Sequence, residues 1–165
     1  MKRLLIVFIF TVFATNLYGQ SIQQTEDSLH NYFSAHKDSL DPIEGLWDVV
    51  STQEYYHFDT LYDVVKYPKP ARVAIIKKGN KYQVYNMKGE SYNVEFSQTE
   101  VKSVYFYRNF FPQINQYSEM QTIICKSGEM EFTYDFPESD LRIKLGDKYK
   151  DGTRLVNVRK WKKIF

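Results

Sequence analysis

Apolar and polar positions along this chain change their period once. From Ser21 to Leu40, the residues Leu29, Tyr32, Phe33, His36 and Leu40 recur at three- and four-residue steps, which predicts one amphipathic helix. Ser21 with Gln24 three positions on makes a capping box, and Thr25 with Ser28 is the weaker start. Pro42 sets the end, because a residue before proline is pushed out of the helical region. From Gly45 onward the period becomes 2. Trp47-Asp48-Val49-Val50 opens a strand. Arg72 to Lys78 and Lys81 to Met87 are two more, joined by Gly79-Asn80, a pair suited to a tight hairpin turn. Ser91 to Phe96 and Val101 to Arg108 follow. Glu119 to Lys126 and Glu129 to Phe136 read as a hairpin across Ser127-Gly128. In its second arm Met130, Phe132, Tyr134 and Phe136 alternate cleanly with Glu129, Glu131, Thr133 and Asp135. Thr153 to Ile164 is the last strand, giving eight. Leu141, Ile143 and Leu145 alternate as well and suggest a ninth short one.

Eight antiparallel strands behind one helix need a solution for their edges, and closing into an up-and-down barrel removes them. The expected class is therefore mainly β, an eight-stranded antiparallel up-and-down barrel with one N-terminal α-helix. Charge patterning agrees. Residues 20 to 65 carry nine acids and one base, and residues 142 to 165 carry nine bases and two acids. Closure puts the first strand beside the last, where these segments attract.

The N-terminus changes the picture of compartment and charge. Met1-Lys2-Arg3 is basic, Leu4 to Ala14 is apolar, and Gly19 supplies a small residue at the end. This is the three-part pattern of a signal peptide, and the apolar run is too short to span a bilayer. The expected layout is a signal peptide over 1–19, a helix and lead-in over 20–44, and a barrel over 45–165. The expected location is periplasmic or secreted, with no transmembrane span after cleavage. Lys2 and Arg3 leave with the signal, and the other bases then equal the 20 acids. A neutral chain is not the footprint of a nucleic-acid binder. Aromatics at 17% exclude collagen-like, coiled-coil and disordered classes. Cys125 is the lone cysteine, so an intrachain disulfide and a cysteine zinc site are both ruled out.

Ile43-Glu44-Gly45-Leu46-Trp47, after a short helix and at the mouth of the first strand, resembles the signature of the lipocalin and wider calycin group. Glycine permits a sharp bend into the barrel, and tryptophan plugs its closed end with a large apolar body. The resemblance implies a basic residue from the final strand packed on that ring. Arg154 and Arg159 are the candidates beside Gly45 and Trp47. The match also looks like small exported lipocalin-like bacterial proteins without assigned activity.

Candidate chemistry is sparse. His30, His36 and His57 do not form a chelating set, and the glycines are scattered among turns, so no metal or cofactor is expected. His57 with Asp59 is the minimum for proton transfer, in a loop, and the chain reads as non-catalytic. The aromatics are more informative. Tyr55 to Tyr67 and Tyr105 to Tyr117 fall outside the best strands and are expected as long loops framing the barrel mouth. Tyr85, Tyr105, Tyr107, Arg108, Phe132 and Tyr134 are the candidate ligand-binding residues. Arg108 would hold an acidic head while the rings take an apolar body, and the phase of Tyr107 against Arg108 stays open. The first functional expectation is a barrel binding a small apolar or amphipathic molecule. The alternative is an interaction module whose filled barrel presents Tyr-rich loops to an envelope or secreted protein.

Overall fold

The computed structural model describes residues 26–165. The signal peptide expected over 1–19 and the expected helix start at Ser21 lie outside them. Helix α1 spans Glu26–His36 and is followed by β1 (Gly45–His57), β2 (Thr60–Lys78), β3 (Lys81–Asn86), β4 (Ser91–Gln98), β5 (Val104–Phe111), β6 (Gln116–Ile123) and β7 (Glu129–Asp135). A short helix α2 (Glu138–Leu145) precedes the last strand, β8 (Thr153–Lys163). The strands form one antiparallel sheet in the order β6-β5-β4-β3-β2-β1-β8-β7, curled into a nearly closed barrel. The seam lies between β6 and β7, where Ser118 Oγ donates to the Asp135 carbonyl at 3.2 Å.

The first and last strands pair along their whole common length, from Trp47 opposite Lys163 to His57 opposite Thr153. The opposite charges of these segments foreshadow that adjacency. The ion pairs themselves go elsewhere: Asp48 stands between Lys162 of β8 and Arg72 of β2, and it is Arg72 that it pairs with. Lys160 meets Glu131 of β7 at 3.2 Å, and Arg154 lies 3.7 Å from Asp135 at the end of β7. Arg72 of β2 bridges Asp48 of β1 and Glu26 of α1, which ties the helix to the sheet.

Gly45 is where the chain turns into β1. Its φ is +139°, and a Cβ there would sit 2.0 Å from the carbonyl oxygen of Phe165. The same oxygen accepts from the Leu46 N–H at 3.2 Å, so Phe165 meets the start of β1 at this glycine. Apolar side chains then sort to two sides of the sheet. Inside the barrel Trp47, Phe96, Tyr107, Phe132 and Trp161 belong to one buried cluster. Outside, Leu29 and Phe33 of α1 cover Leu46, Ala74 and Tyr85.

Four expectations are corrected. The helix ends at His36, six residues ahead of Pro42, and only Leu29 and Phe33 of its described face are buried. The run at 141–145 is helix α2, not a ninth strand. Pro137 starts it, Glu138 and Asp140 occupy the first turn, Arg142 and Lys144 the last, and these charges match the helix dipole. Only Leu141 is buried there, while Ile143 is exposed, so the apolar alternation marked no buried face. The segments 119–126 and 129–136 are not a paired hairpin. They flank the seam, and β7 takes its ladder from β8. Finally, both aromatic clusters expected as loops are strand. Tyr55–Tyr67 covers the end of β1 and the start of β2, and Tyr105–Tyr117 covers most of β5 and the start of β6. Aromatic side chains suit a pleated surface, and that preference prevailed over the absence of clean alternation.

Candidate functional site

At the start of β1 the core is built on Trp47. Its side chain is fully buried, its indole N–H donates to the Ile43 carbonyl at 2.9 Å, and its ring meets Trp161 edge-on at 6.4 Å. The basic residue over this ring is Lys163, with Nζ 5.9 Å from the centroid and bonded to the Pro42 carbonyl at 3.0 Å. Burial pushes that ammonium's pKa down. Arg154 and Arg159 do not pack there. Arg154 lies over Tyr56 near the far end of β1, and Arg159 turns into the barrel. Arg159 shares the face of Lys163 but stands four residues before it, and Arg154 lies on the opposite face, so distance along the strand and alternation carry them away from Trp47.

The barrel interior is largely filled by rings. Tyr107 lies 4.5 Å from Phe132 and 5.7 Å from Tyr134, centroid to centroid, so three of the candidate binding residues do converge. Tyr105 is also inside, edge-on to Tyr82 at 5.7 Å. Tyr85 is not. It faces outward beneath α1, because alternation along β3 sends Tyr82 and Val84 in and Tyr85 out. Arg108 is outside as well. It pairs with Glu95 at 3.2 Å and Glu119 at 2.6 Å, with its guanidinium 4.3 Å above the Tyr117 ring. The open phase is thereby decided, with Tyr107 in and Arg108 out.

Burial acts on the interior phenols. It pushes the Tyr105 hydroxyl up to about 12, and it holds Tyr107 well above the ordinary tyrosine value. The Asn157 amide is fully satisfied with its oxygen toward Tyr134 and Arg159, at 2.9 and 3.3 Å, and its nitrogen toward Ser51 Oγ at 2.9 Å. The interior holds a cavity of about 110 Å³, lined by Val49, Val73, Val84, Val94, Tyr107, Arg159 and Trp161 among others. This is well short of the several hundred Å³ that holds a fatty-acid-sized ligand.

A second feature stands outside the barrel. β3 pairs with β2 only over Val73–Lys78. From Thr60 to Arg72, the edge of β2 away from β1 has no strand against it among the described residues. A register shift at Pro68-Lys69-Pro70, opposite Val50, marks where this arm leaves the barrel wall. Leu61, Tyr62, Val64 and Tyr67 on the arm are 39–56% exposed. The Val64 N–H bonds to the neighbouring Asp63 carboxylate at 2.8 Å, which puts that donor on the open edge and off the β1 ladder. The arm is braced at its tip, where the Phe58 N–H donates to Gly152 at 2.7 Å and the Phe58 ring covers that glycine. His57 and Asp59 flank this tip. Both are exposed, and no hydrogen bond or ion pair joins them among the described residues.

No protein-family model matches the chain, and neither a curated protein nor a solved structure is significantly similar to it.

Two features escaped the sequence reading. Arg159 and Trp161 share the inward face of β8 with Asn157, a period-2 relation readable in the sequence itself. The open edge of β2 was not readable, because it depends on β3 being short.

Proposed function

We propose that this protein is an exported, non-catalytic interaction module, with a lipocalin-like barrel as scaffold and the β1–β2 arm as its recognition element. The observation that carries this reading is the open edge of β2 between Thr60 and Tyr67, flanked by exposed Leu61, Tyr62, Val64 and Tyr67. Unpaired strand edges recruit extended segments of partners by adding a strand, with main-chain hydrogen bonds for affinity and alternate side chains for selectivity. The arm exposes apolar side chains on both faces, Tyr62 with Val64 on one and Leu61 with Tyr67 on the other, which offers alternate side chains to an added strand. Asp63, Lys66 and the two prolines restrain indiscriminate pairing at the same edge. The partner is an envelope or secreted protein, in keeping with the signal-peptide pattern of residues 1–19. The packed interior supports this reading over storage of a large amphipathic ligand.

The test is photo-cross-linking from position 62 in the producing cell, on protein whose intact mass reports loss of residues 1–19. One adduct of defined mass is expected. It should disappear with Val64→Pro, which removes an edge donor that takes no part in the β1–β2 ladder, while the melting temperature is kept. An adduct that survives Val64→Pro, or the same adducts from a control position such as Lys144, would defeat the strand-edge reading. Protein that retains Met1 to Gly19 would instead overturn the exported part of the proposal.

A further inference from the structure

We propose that the barrel cavity is a binding site for a small organic carboxylate, held by Arg159 and the indole N–H of Trp161. This is independent of the strand-edge reading. Arg159 is half-buried inside the barrel, opposite Ser51 on one side and Phe132 on the other. Among the described residues no carboxylate lies within 4.0 Å of it, although Arg154 and Lys160 of the same strand both have acidic partners on the outer face. Its hydrogen-bond acceptors are neutral, the Asn157 amide oxygen at 3.3 Å and the Tyr134 hydroxyl. Trp161 is 4% exposed, and its indole N–H has no acceptor. An indole nitrogen can only donate. A buried donor without a partner and a cation without a counter-charge both carry a desolvation cost that one bound anion removes. Tyr107 adds a third wall group.

The rest of the cavity defines what kind of anion. Val49, Val73, Val84 and Val94 supply apolar walls. These give nothing to inorganic phosphate or sulfate, which are strongly hydrated on every side, and they suit a short alkyl tail. A carboxylate is planar and matches the guanidinium fork, with lone pairs left for the indole N–H. A volume of about 110 Å³ corresponds to roughly four waters at ~30 Å³ each, which admits a monocarboxylate of about three or four carbons. Tyr92 lines the cavity and is itself exposed, so the entrance lies on its side, near Ala71 at the base of the arm.

Isobutyrate is the probe. The ¹⁵N-labelled protein has two indole resonances, those of Trp47 and Trp161, and Trp161→Phe assigns them. Isobutyrate should shift the Trp161 resonance saturably and leave that of Trp47 in place. Isobutyramide, of the same shape without the charge, should bind at least about ten-fold more weakly, the usual loss when a charge-assisted hydrogen bond becomes a neutral one. Arg159→Gln should lose a similar factor, and Arg159→Lys should recover part of it. The comparison of acid with amide needs no variant, so it decides the matter even if Arg159→Gln fails to fold. No saturable shift with isobutyrate overturns the proposal. Equal binding of the amide does too, as does an equal response to sodium chloride or phosphate at matched ionic strength.

Discussion

Replacing Trp47 with alanine tests the packing at the start of β1 most directly. The side chain is fully buried, its N–H is bonded to Ile43, and its ring touches Trp161 and underlies Lys163. A buried tryptophan removes about 150–250 Å² from water, which at ~25 cal/mol per Å² corresponds to about 4–6 kcal/mol as an upper estimate. Measured truncations of large aromatics cluster at about 3–5 kcal/mol, because neighbours relax into part of the space. Relaxation is restricted here. Two neighbours are the Trp161 ring and the Gly45 turn, and the latter is pinned by Phe165. The expected loss is therefore about 4 kcal/mol, a large share of the ~5–15 kcal/mol available to a domain. Trp47→Phe separates the contributions. It keeps most of the bulk and leaves the Ile43 carbonyl without its donor, at a cost of about 1–3 kcal/mol. Urea melts of the three proteins measure both, with the slope checked for constancy so that midpoint shifts report stability. A loss under about 1 kcal/mol for Trp47→Ala would mean the ring is not packed as described, and the plug reasoning would fail.

Deleting Arg159 to Phe165 removes half of β8 together with the Phe165 carbonyl that Leu46 uses, and exposes long edges on β1 and β7. The shortened protein should aggregate on size-exclusion chromatography, and a stable monomer would contradict the pairing of first and last strands. Alkaline pH should destabilise the fold. Tyr82, Tyr105 and Tyr107 have folded values raised above an unfolded value near 10. Their contribution is full below pH ~10 and is lost as pH climbs through the raised values, since the unfolded chain releases these protons first. Spectrophotometric titration should show phenols that ionise only as the protein unfolds, and Tyr107→Phe should flatten the fall in stability above pH 10. Normal ionisation of every tyrosine in the folded protein would refute this account.

Local rules were enough for much of the architecture. Gly79-Asn80 and the strict alternation of Met130, Phe132 and Tyr134 mark their turn and strand without reference to anything distant. Gly45 and Trp47 likewise announce the entry to the barrel. The same rules failed where a local pattern had two readings. Leu141-x-Ile143-x-Leu145 alternates like a strand, yet Pro137 and the flanking charges make it a helix. The aromatic stretch at 55–67 resembles a loop because both its faces are polar and apolar at once, and it is strand because the end of β1 and the start of β2 pair with each other.

By itself the chain determined its periodicities, its turns and the opposite charges of its two ends, because each depends on residues near in sequence. Only the tertiary structure decided which strands flank the seam, that Arg159 lines the interior and leaves Trp47 to Lys163, and that Tyr85 lies under a helix while Tyr107 lies inside. Those outcomes depend on strand register and relative strand length. A shift of one residue in register exchanges inside for outside, and a short β3 leaves the neighbouring edge bare.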